Sequence, residues 1–279
     1  MTDEPENDRE YRQELELQAP RDAVWRAISN DEELRRWFAP GAEITAEVGG
    51  EVVWQWGELH RWVQRIEILE PGTRLRTRYD SAVDDEAGGK KPLFVDFLLE
   101  GDGGTTTLRL VQSGFGSESD FDDEFNAISR GWPIELGSLK HYLEHHLGND
   151  RHLAWARGDL DLDVEEIWRR MVGPAGLNCG EDIVRRTRGD AFAFETSDGD
   201  TFEGRLLEVQ PRGFSAVATS HGDAWLRVCA EECGGQCNPW IWLAAYDRPQ
   251  TELDELQSRW HSMLRRLFPG ISANAGILS

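Results

Sequence analysis

The sequence predicts an α+β chain of two tandem domains, each a curved antiparallel sheet wrapped around a long C-terminal helix. Three observations carry this. The 279 residues fit two domains at roughly 100–200 residues each. One pattern of segments occurs twice, and each copy closes on a long amphipathic stripe. The domains are placed at 1–148 and 151–279, with a short polar linker at Gly148-Asn149-Asp150.

The first copy opens with RDAVWRAIS (21–29), whose Ala23, Val24, Ala27 and Ile28 have helical spacing. Pro20 suits the helix entry and Asp22 its first turn. A second short helix over Asp31–Phe38 is ended by Pro40-Gly41. DVEEIWRRMV (163–172) repeats the first helix, with Trp168 answering Trp25. GGEVVWQW (49–56) corresponds to RGDAFAFE (188–195), both alternating segments after a glycine. RIEILEPGTRLRTRY (65–79) corresponds to RLLEVQPRGFSAVATS (205–220), two strands about a Pro-Gly or Pro-Arg-Gly turn. LFVDFLLEGDGGTTTLRLVQ (93–112) corresponds to LRVCAEECGGQCNPWIWLAA (226–245), a hairpin about Gly-Gly. The closing helices carry Ile128, Trp132, Leu136, Leu139, Leu143 and Leu147, and then Leu253, Leu256, Trp260, Leu264 and Leu267. A run of strands followed by a helix with one apolar stripe packs as a sheet gripping that helix.

With 39% apolar residues and 12 Trp, the chain is no disordered polymer. No apolar run reaches the ~18 residues of a membrane helix, so no membrane span is expected. The acidic start MTDEPENDRE is unlike a secretory signal, and a cytoplasmic location follows as an expectation. A net charge of −22 repels phosphate backbones and argues against a nucleic-acid partner. Only three of the 30 basic residues are Lys (Lys90, Lys91, Lys140), the rest Arg. Acid excess with little Lys reads as a hydration strategy for a salty, halophilic cytoplasm, with ordinary acidic drift as the alternative.

The residues APRDAVWRAISNDEELRRWF (19–38), VGG (48–50), RIEILEPGTRL (65–75), TTTLRLVQSGF (105–115) and RGWPIELGSLKHYLE (130–144) resemble the START-like, SRPBCC-type superfamily with its helix-grip fold. Within it they are most similar to the domain homologous to the activator of the ninety-kilodalton heat-shock chaperone's ATPase. The second half resembles a degenerate copy, without clear counterparts of RRWFAP, SGF and GWPIELG. The resemblance implies a cavity between sheet and long helix, used in relatives for apolar molecules, in a minority for cyclisation or hydrolysis. In the chaperone-activating members a surface binds the partner instead.

Strand parity names the wall of such a cavity. Val52, Trp54 and Trp56 share one face; so do Leu75, Thr77 and Tyr79, with Arg74, Arg76 and Arg78 opposite. Leu93, Val95, Phe97 and Leu99 share another, with Asp96 opposite, and Leu108, Leu110 and Gln112 another. Trp132, Leu136 and Leu139, with Leu143, close it from the helix. The candidate ligand-binding residues are therefore Trp54, Trp56, Thr77, Tyr79, Val95, Phe97, Leu110, Gln112, Trp132, Leu136 and Leu139. This wall suits an apolar ligand oriented by one or two hydrogen bonds. The same residues would equally fill a core. In the second half Phe192, Phe194, Trp225, Trp240, Trp242 and Trp260 have less clear parity, and a filled core is expected there.

Other constellations point to no catalytic residue, metal or cofactor. Cys229, Cys233 and Cys237 form a C-x3-C-x3-C run. Residues four apart on a strand are ~13 Å apart, too far for one zinc ion with ~2.3 Å bonds to sulfur. Cys233 and Cys237 flank a turn and allow a disulfide geometrically, which a cytosol disfavours; free thiols are expected. His141 and His145 have the i, i+4 spacing of a metal patch but no evident third ligand. DFDDEF (120–125) reads as acids at a helix start, and His60 as structural. The sequence thus points to a non-enzymatic protein holding an apolar small molecule. A chaperone-associated interaction protein is the alternative, and a cyclase or hydrolase the second.

Overall fold

The structure is a computed structural model that describes residues 9–57, 60–84, 89–116, 119–233, 236–246 and 248–272. The chain divides into two units, Met1–Gly148 and Asn149–Ser279.

In the first unit, β1 (Arg9–Leu17) leads to α1 (Arg21–Ser29) and α2 (Asp31–Trp37). Pro20 fixes the backbone before α1, and Asn30 caps α2 by accepting from the Glu33 N–H at 3.1 Å. Then follow β2 (Glu43–Ile44), β3 (Glu51–Trp56), β4 (His60–Glu70), β5 (Arg74–Asp84), β6 (Lys90–Glu100) and β7 (Thr106–Phe115). The Glu70-Pro71-Gly72-Thr73 turn joins β4 to β5, closed by Thr73 N–H to Glu70 O at 3.0 Å. Gly72 sits there at φ +74, where other residues are strained. The closing helix α3 (Asp122–His145) carries three acids in its first turn and Pro133 in its interior.

The sheet runs in the order β1-β7-β6-β5-β4-β3-β2, antiparallel throughout. Register aligns the alternating residues into one face. Thr77 lies opposite Val95, Val95 opposite Gln112, Leu75 opposite Phe97 and Phe97 opposite Leu110. All are buried, as are Leu136 and Leu139 of α3 that close over them. Arg74 and Arg76 stand on the opposite face, where they bind Asp96 at 2.7 and 3.5 Å. Those ion pairs explain a carboxylate only 6% exposed on β6.

The second unit repeats this plan with one strand fewer. It contains β8 (His152–Arg157), α4 (Val164–Val172), β9 (Ala191–Glu195), β10 (Thr201–Gln210), β11 (Gly213–Ala218), β12 (Ala224–Cys233), β13 (Gln236–Ala245) and α5 (Gln250–Leu267). Its order, β8-β13-β12-β11-β10-β9, again pairs the opening strand with the last. Asp163 caps α4 through the N–H groups of Glu165 and Glu166. A 3-10 turn at Glu181–Arg185 stands where the first unit has α2. Both units are therefore helix-grip folds, and the chain is a tandem of two.

The second unit's apolar residues form one continuous buried cluster that includes Phe192, Phe194, Phe202 and Trp260. Trp225, Trp240 and Trp242 are not part of that core. Ala224, Leu226, Val228, Ile241 and Leu243 point into it, so their tryptophan neighbours face the other side of the sheet. There Trp155 meets Trp242 at 5.6 Å, and the guanidinium groups of Arg157 and Arg227 each lie 4.8 Å from the Trp240 ring. In the β12–β13 register Cys233 lies opposite Gln236 and Cys237 opposite Glu232. Cys179, Cys229 and Cys237 are free thiols.

Candidate functional site

The site is built around Phe38, the residue that ends α2. A main-chain bond from Phe38 N–H to Leu34 O stops the helix, and the backbone then turns away at φ −111, ψ −129. The preceding Trp37 is held on both sides: its Nε1 donates to Ala27 O at 2.8 Å, and its carbonyl accepts from Ser138 Oγ of α3 at 2.8 Å. Thus anchored, α2 presents Phe38 to the sheet. The ring stacks on Trp132 at 5.9 Å and 7°, and meets Trp54 at 4.8 Å and Trp56 at 5.1 Å edge-on. Trp132 is in turn edge-on to Phe97 at 5.8 Å.

Beside this cluster lies a cleft. Ile28 of α1, Leu34 and Trp37 of α2, and Phe38 form one side. Val52 and Trp54 of β3, Leu75 and Thr77 of β5, and Phe97 of β6 form the other. It is partly open to solvent and its cavity volume is about 10 Å³, room for a single water. The lining holds no ionisable side chain. Its polar groups are three. Trp37 Nε1 is satisfied, and Thr77 Oγ1 is bound to Gln64 Oε1 of β4 at 2.5 Å. Trp54 Nε1 is buried and has no hydrogen-bond partner. A buried donor left unpaired costs about 1–3 kcal/mol.

Of the residues named from strand parity, Trp54, Thr77 and Phe97 line the cleft, and Trp56 and Trp132 complete the aromatic shell. Val95, Leu110, Leu136 and Leu139 are buried beyond it, at 0–1% exposure. Tyr79 and Gln112 do not line it. They form a buried chain with Trp132: Trp132 Nε1 donates to Gln112 Oε1 at 2.6 Å, and Gln112 Nε2 donates to the Tyr79 hydroxyl at 2.6 Å. Tyr79 donates onward to Glu124 Oε1 of α3 at 3.5 Å, and Glu124 Oε2 is buried without a partner. Burial lifts both groups above their ordinary pKa. For Tyr79 the Glu124 charge adds to it, and for Glu124 bonds from Ala82 and Tyr79 oppose it.

Parity along strands missed Phe38, Ile28, Leu34 and Trp37, which come from helices, and Glu124, which lies among other acids. The sequence signal for Phe38 was present in its place at the end of the helix that Pro40-Gly41 stops. Elsewhere, His146 joins the His141 and His145 pair, its ring 4.8 Å from that of His141. Among the described residues no group of three or more His, Cys, Asp or Glu is arranged to hold a metal ion. The side chains of His60 and Cys233 and the turn at 234–235 lie outside the described residues. Among the described residues no helix is long and apolar enough to cross a membrane.

Sheet, gripped helix and aromatic cleft define a START-like, helix-grip protein. Residues 18–144 match the family described as Activator of Hsp90 ATPase homolog 1-like protein. A comparison with curated proteins gave no match. Among solved structures, the Aha1 dimer from Colwellia psychrerythraea is similar at 18% identity and TM-score 0.43, over 50% of this chain and 99% of that one. The di-domain ARO/CYC BexL of the BE-7585A biosynthetic pathway is 14% identical, covers 93% of this chain and 95% of its own, and has a TM-score of 0.42. DynU16, from the dynemicin biosynthetic locus, is 16% identical over 92% of this chain and 96% of its own, with a TM-score of 0.41. Likeness at these scores decides nothing about function.

Proposed function

We propose that the first domain, residues 1–148, is a non-enzymatic receptor for a compact apolar molecule bearing one hydrogen-bond acceptor, such as a carbonyl or ether oxygen. The second domain, 151–279, serves as its structural companion, and the protein works in the cytoplasm. The observation that carries this reading is the unpaired Trp54 indole N–H in an otherwise apolar cleft. A ligand oxygen would satisfy that donor while the rest of the molecule displaces little water. The present cleft is too small for such a ligand, so entry requires Phe38 and its neighbouring rings to part. The absence of an ionisable group from the lining weighs against acid–base chemistry there.

Titration with the uncharged fluorophore N-phenyl-1-naphthylamine, alongside native mass spectrometry of the purified protein, tests this. Saturable binding, weakened about 3- to 10-fold for oxygen-bearing ligands by Trp54→Phe, is expected. No saturable binding and no co-purified mass overturns it. A second reading, docking on a chaperone, is favoured by the family description and by the 38% exposure of Val63 on β4, on the face of the sheet away from the cleft. Val63→Ser separates the two: it weakens a chaperone complex and spares probe binding.

A further inference from the structure

We propose that Glu124 is a positioning residue for the aromatic wall: through Tyr79 and Gln112 it fixes the indole of Trp132, and so sets how readily the first-domain cleft opens. The inference deepens the receptor reading and rests on it for its consequence for ligands, though not for the coupling itself.

Donor chemistry fixes the direction of the chain. An indole N–H only donates, so Gln112 must turn its oxygen to Trp132 and its amide N–H to the Tyr79 oxygen. Tyr79 then has one proton left to give, and it goes to Glu124. An ionised carboxylate only accepts, so it terminates the series and holds every member in one arrangement. Tyr79 packs, as Val83, Phe125 and Ile128 do, against the apolar cluster of Leu93, Phe115 and Phe121. Without the Glu124 acceptor, the Tyr79 hydroxyl is free to turn toward Gln112. The amide would then flip and present N–H to the Trp132 N–H. The stack of Trp132 on Phe38 depends on that indole staying in place.

The charged groups on the surrounding elements are engaged with one another. Arg9 of β1 pairs with Asp122 at 2.5 Å and lies over the Phe125 ring at 5.3 Å. On β5, Asp84 pairs with Lys90 of β6 at 2.7 Å, and Asp80 with Arg78 at 3.4 Å. Lys91 of β6 lies over the Phe121 ring at 5.2 Å. Asp123, on α3 itself, is exposed. Tyr79 is thus the titratable side chain that meets Glu124 directly, and burial raises the pKa of both.

The experiment follows the indole protons of the full chain by 1H–15N correlation spectra across pH, with Trp132→Phe assigning the Trp132 signal. In the unaltered protein that signal should titrate with a midpoint above the ordinary glutamate range. In Glu124→Gln and in Tyr79→Phe, both nearly isosteric, it should no longer follow pH. Glu124→Gln keeps an acceptor oxygen, so release of the tether is read in Glu124→Ala and Tyr79→Phe, which should tighten N-phenyl-1-naphthylamine binding about 3- to 10-fold because less of the opening cost remains to be met. A Trp132 signal that titrates equally in Glu124→Gln overturns the coupling. Equal probe affinity in the unaltered protein, Glu124→Ala and Tyr79→Phe overturns the control of the cleft. If no form binds the probe but the titration behaves as stated, the coupling stands and the receptor reading alone has failed.

Discussion

Replacing Phe38 by alanine removes the hub of the aromatic cluster. The ring is 6% exposed and touches Trp37, Trp54, Trp56 and Trp132 at centroid distances of 5.0, 4.8, 5.1 and 5.9 Å. Burying and then deleting a phenylalanine costs about 3–5 kcal/mol in general, and each well-placed aromatic pair is worth about 0.5–1.5 kcal/mol beyond its area. The void left by Phe38 merges with a cleft already partly open to solvent, so relaxation and hydration pull the cost toward about 3–4 kcal/mol. At about 2–4 °C per kcal/mol for a domain of this size, the unfolding midpoint of the first domain should fall by roughly 6–16 °C. Near-UV circular dichroism, to which the four tryptophans around this ring contribute, is the assay. The same deletion enlarges the cleft, so the folded variant should bind N-phenyl-1-naphthylamine more tightly than the unaltered protein. A variant that unfolds within about 2 °C of the parent and binds the probe no better would show that Phe38 neither supports the wall nor blocks the cleft.

Asp96→Asn removes the charge that Arg74 and Arg76 share; a loss of about 1–2 kcal/mol, discounted for the partial exposure of both arginines, should appear as a lower urea midpoint with unchanged slope. The thiols of Cys179 and Cys229 are pushed up to about 12 by burial, so both stay protonated at pH 8; iodoacetamide followed by mass spectrometry should find them unmodified until the protein is unfolded. Burial lowers His221 to about 4. Its folded pKa thus lies below the unfolded value near 6.5, so the unfolded state takes up the proton first and stability contributed above pH ~6.5 drains away as pH falls toward 4. The His221 ring proton should show no titration by NMR between pH 8 and 5. A net charge of −22 implies an unfolding midpoint that rises from 0.1 to 2 M KCl as screening relieves self-repulsion; a flat or falling midpoint refutes the salt-adapted reading.

The plan of the fold was legible because its signals are local and repeated. Alternation in 52–56, 75–79, 93–99 and 108–112 assigned faces that register then joined, since a two-residue period leaves only two choices per strand. Pro20 and Asp22 marked the start of α1, the one by its fixed backbone and the other by its charge in the first turn. The tryptophans of β12 and β13 show where this reasoning stops. Large aromatic residues occupy one face there and small or aliphatic ones the other, and hydrophobicity alone does not tell which face is inward. The smaller set, Ala224, Leu226, Val228, Ile241 and Leu243, took the core because Phe192, Phe202 and Trp260 already fill the space opposite.

The site was legible only where strands build it. Phe38 projects from a helix end whose direction depends on one irregular backbone step, and no periodicity reports that. Glu124 was hidden for a different reason. Amid an excess of carboxylates, an acid at a helix start needs no further explanation than the helix dipole. Its distinction comes from a phenol 45 positions away in sequence, brought to it by the β5 register and the seat of α3. The two omissions share a cause: each residue acquires its role from what it is pressed against, not from its own neighbours in the chain. That argument orders the experiments. Phe38→Ala tests the wall where parity was silent, and Glu124→Ala tests the tether where composition was misleading. If the receptor reading holds, both should tighten probe binding by different routes: the first by enlarging the cleft at a cost in stability, the second by freeing Trp132 while Phe38 and its contacts remain.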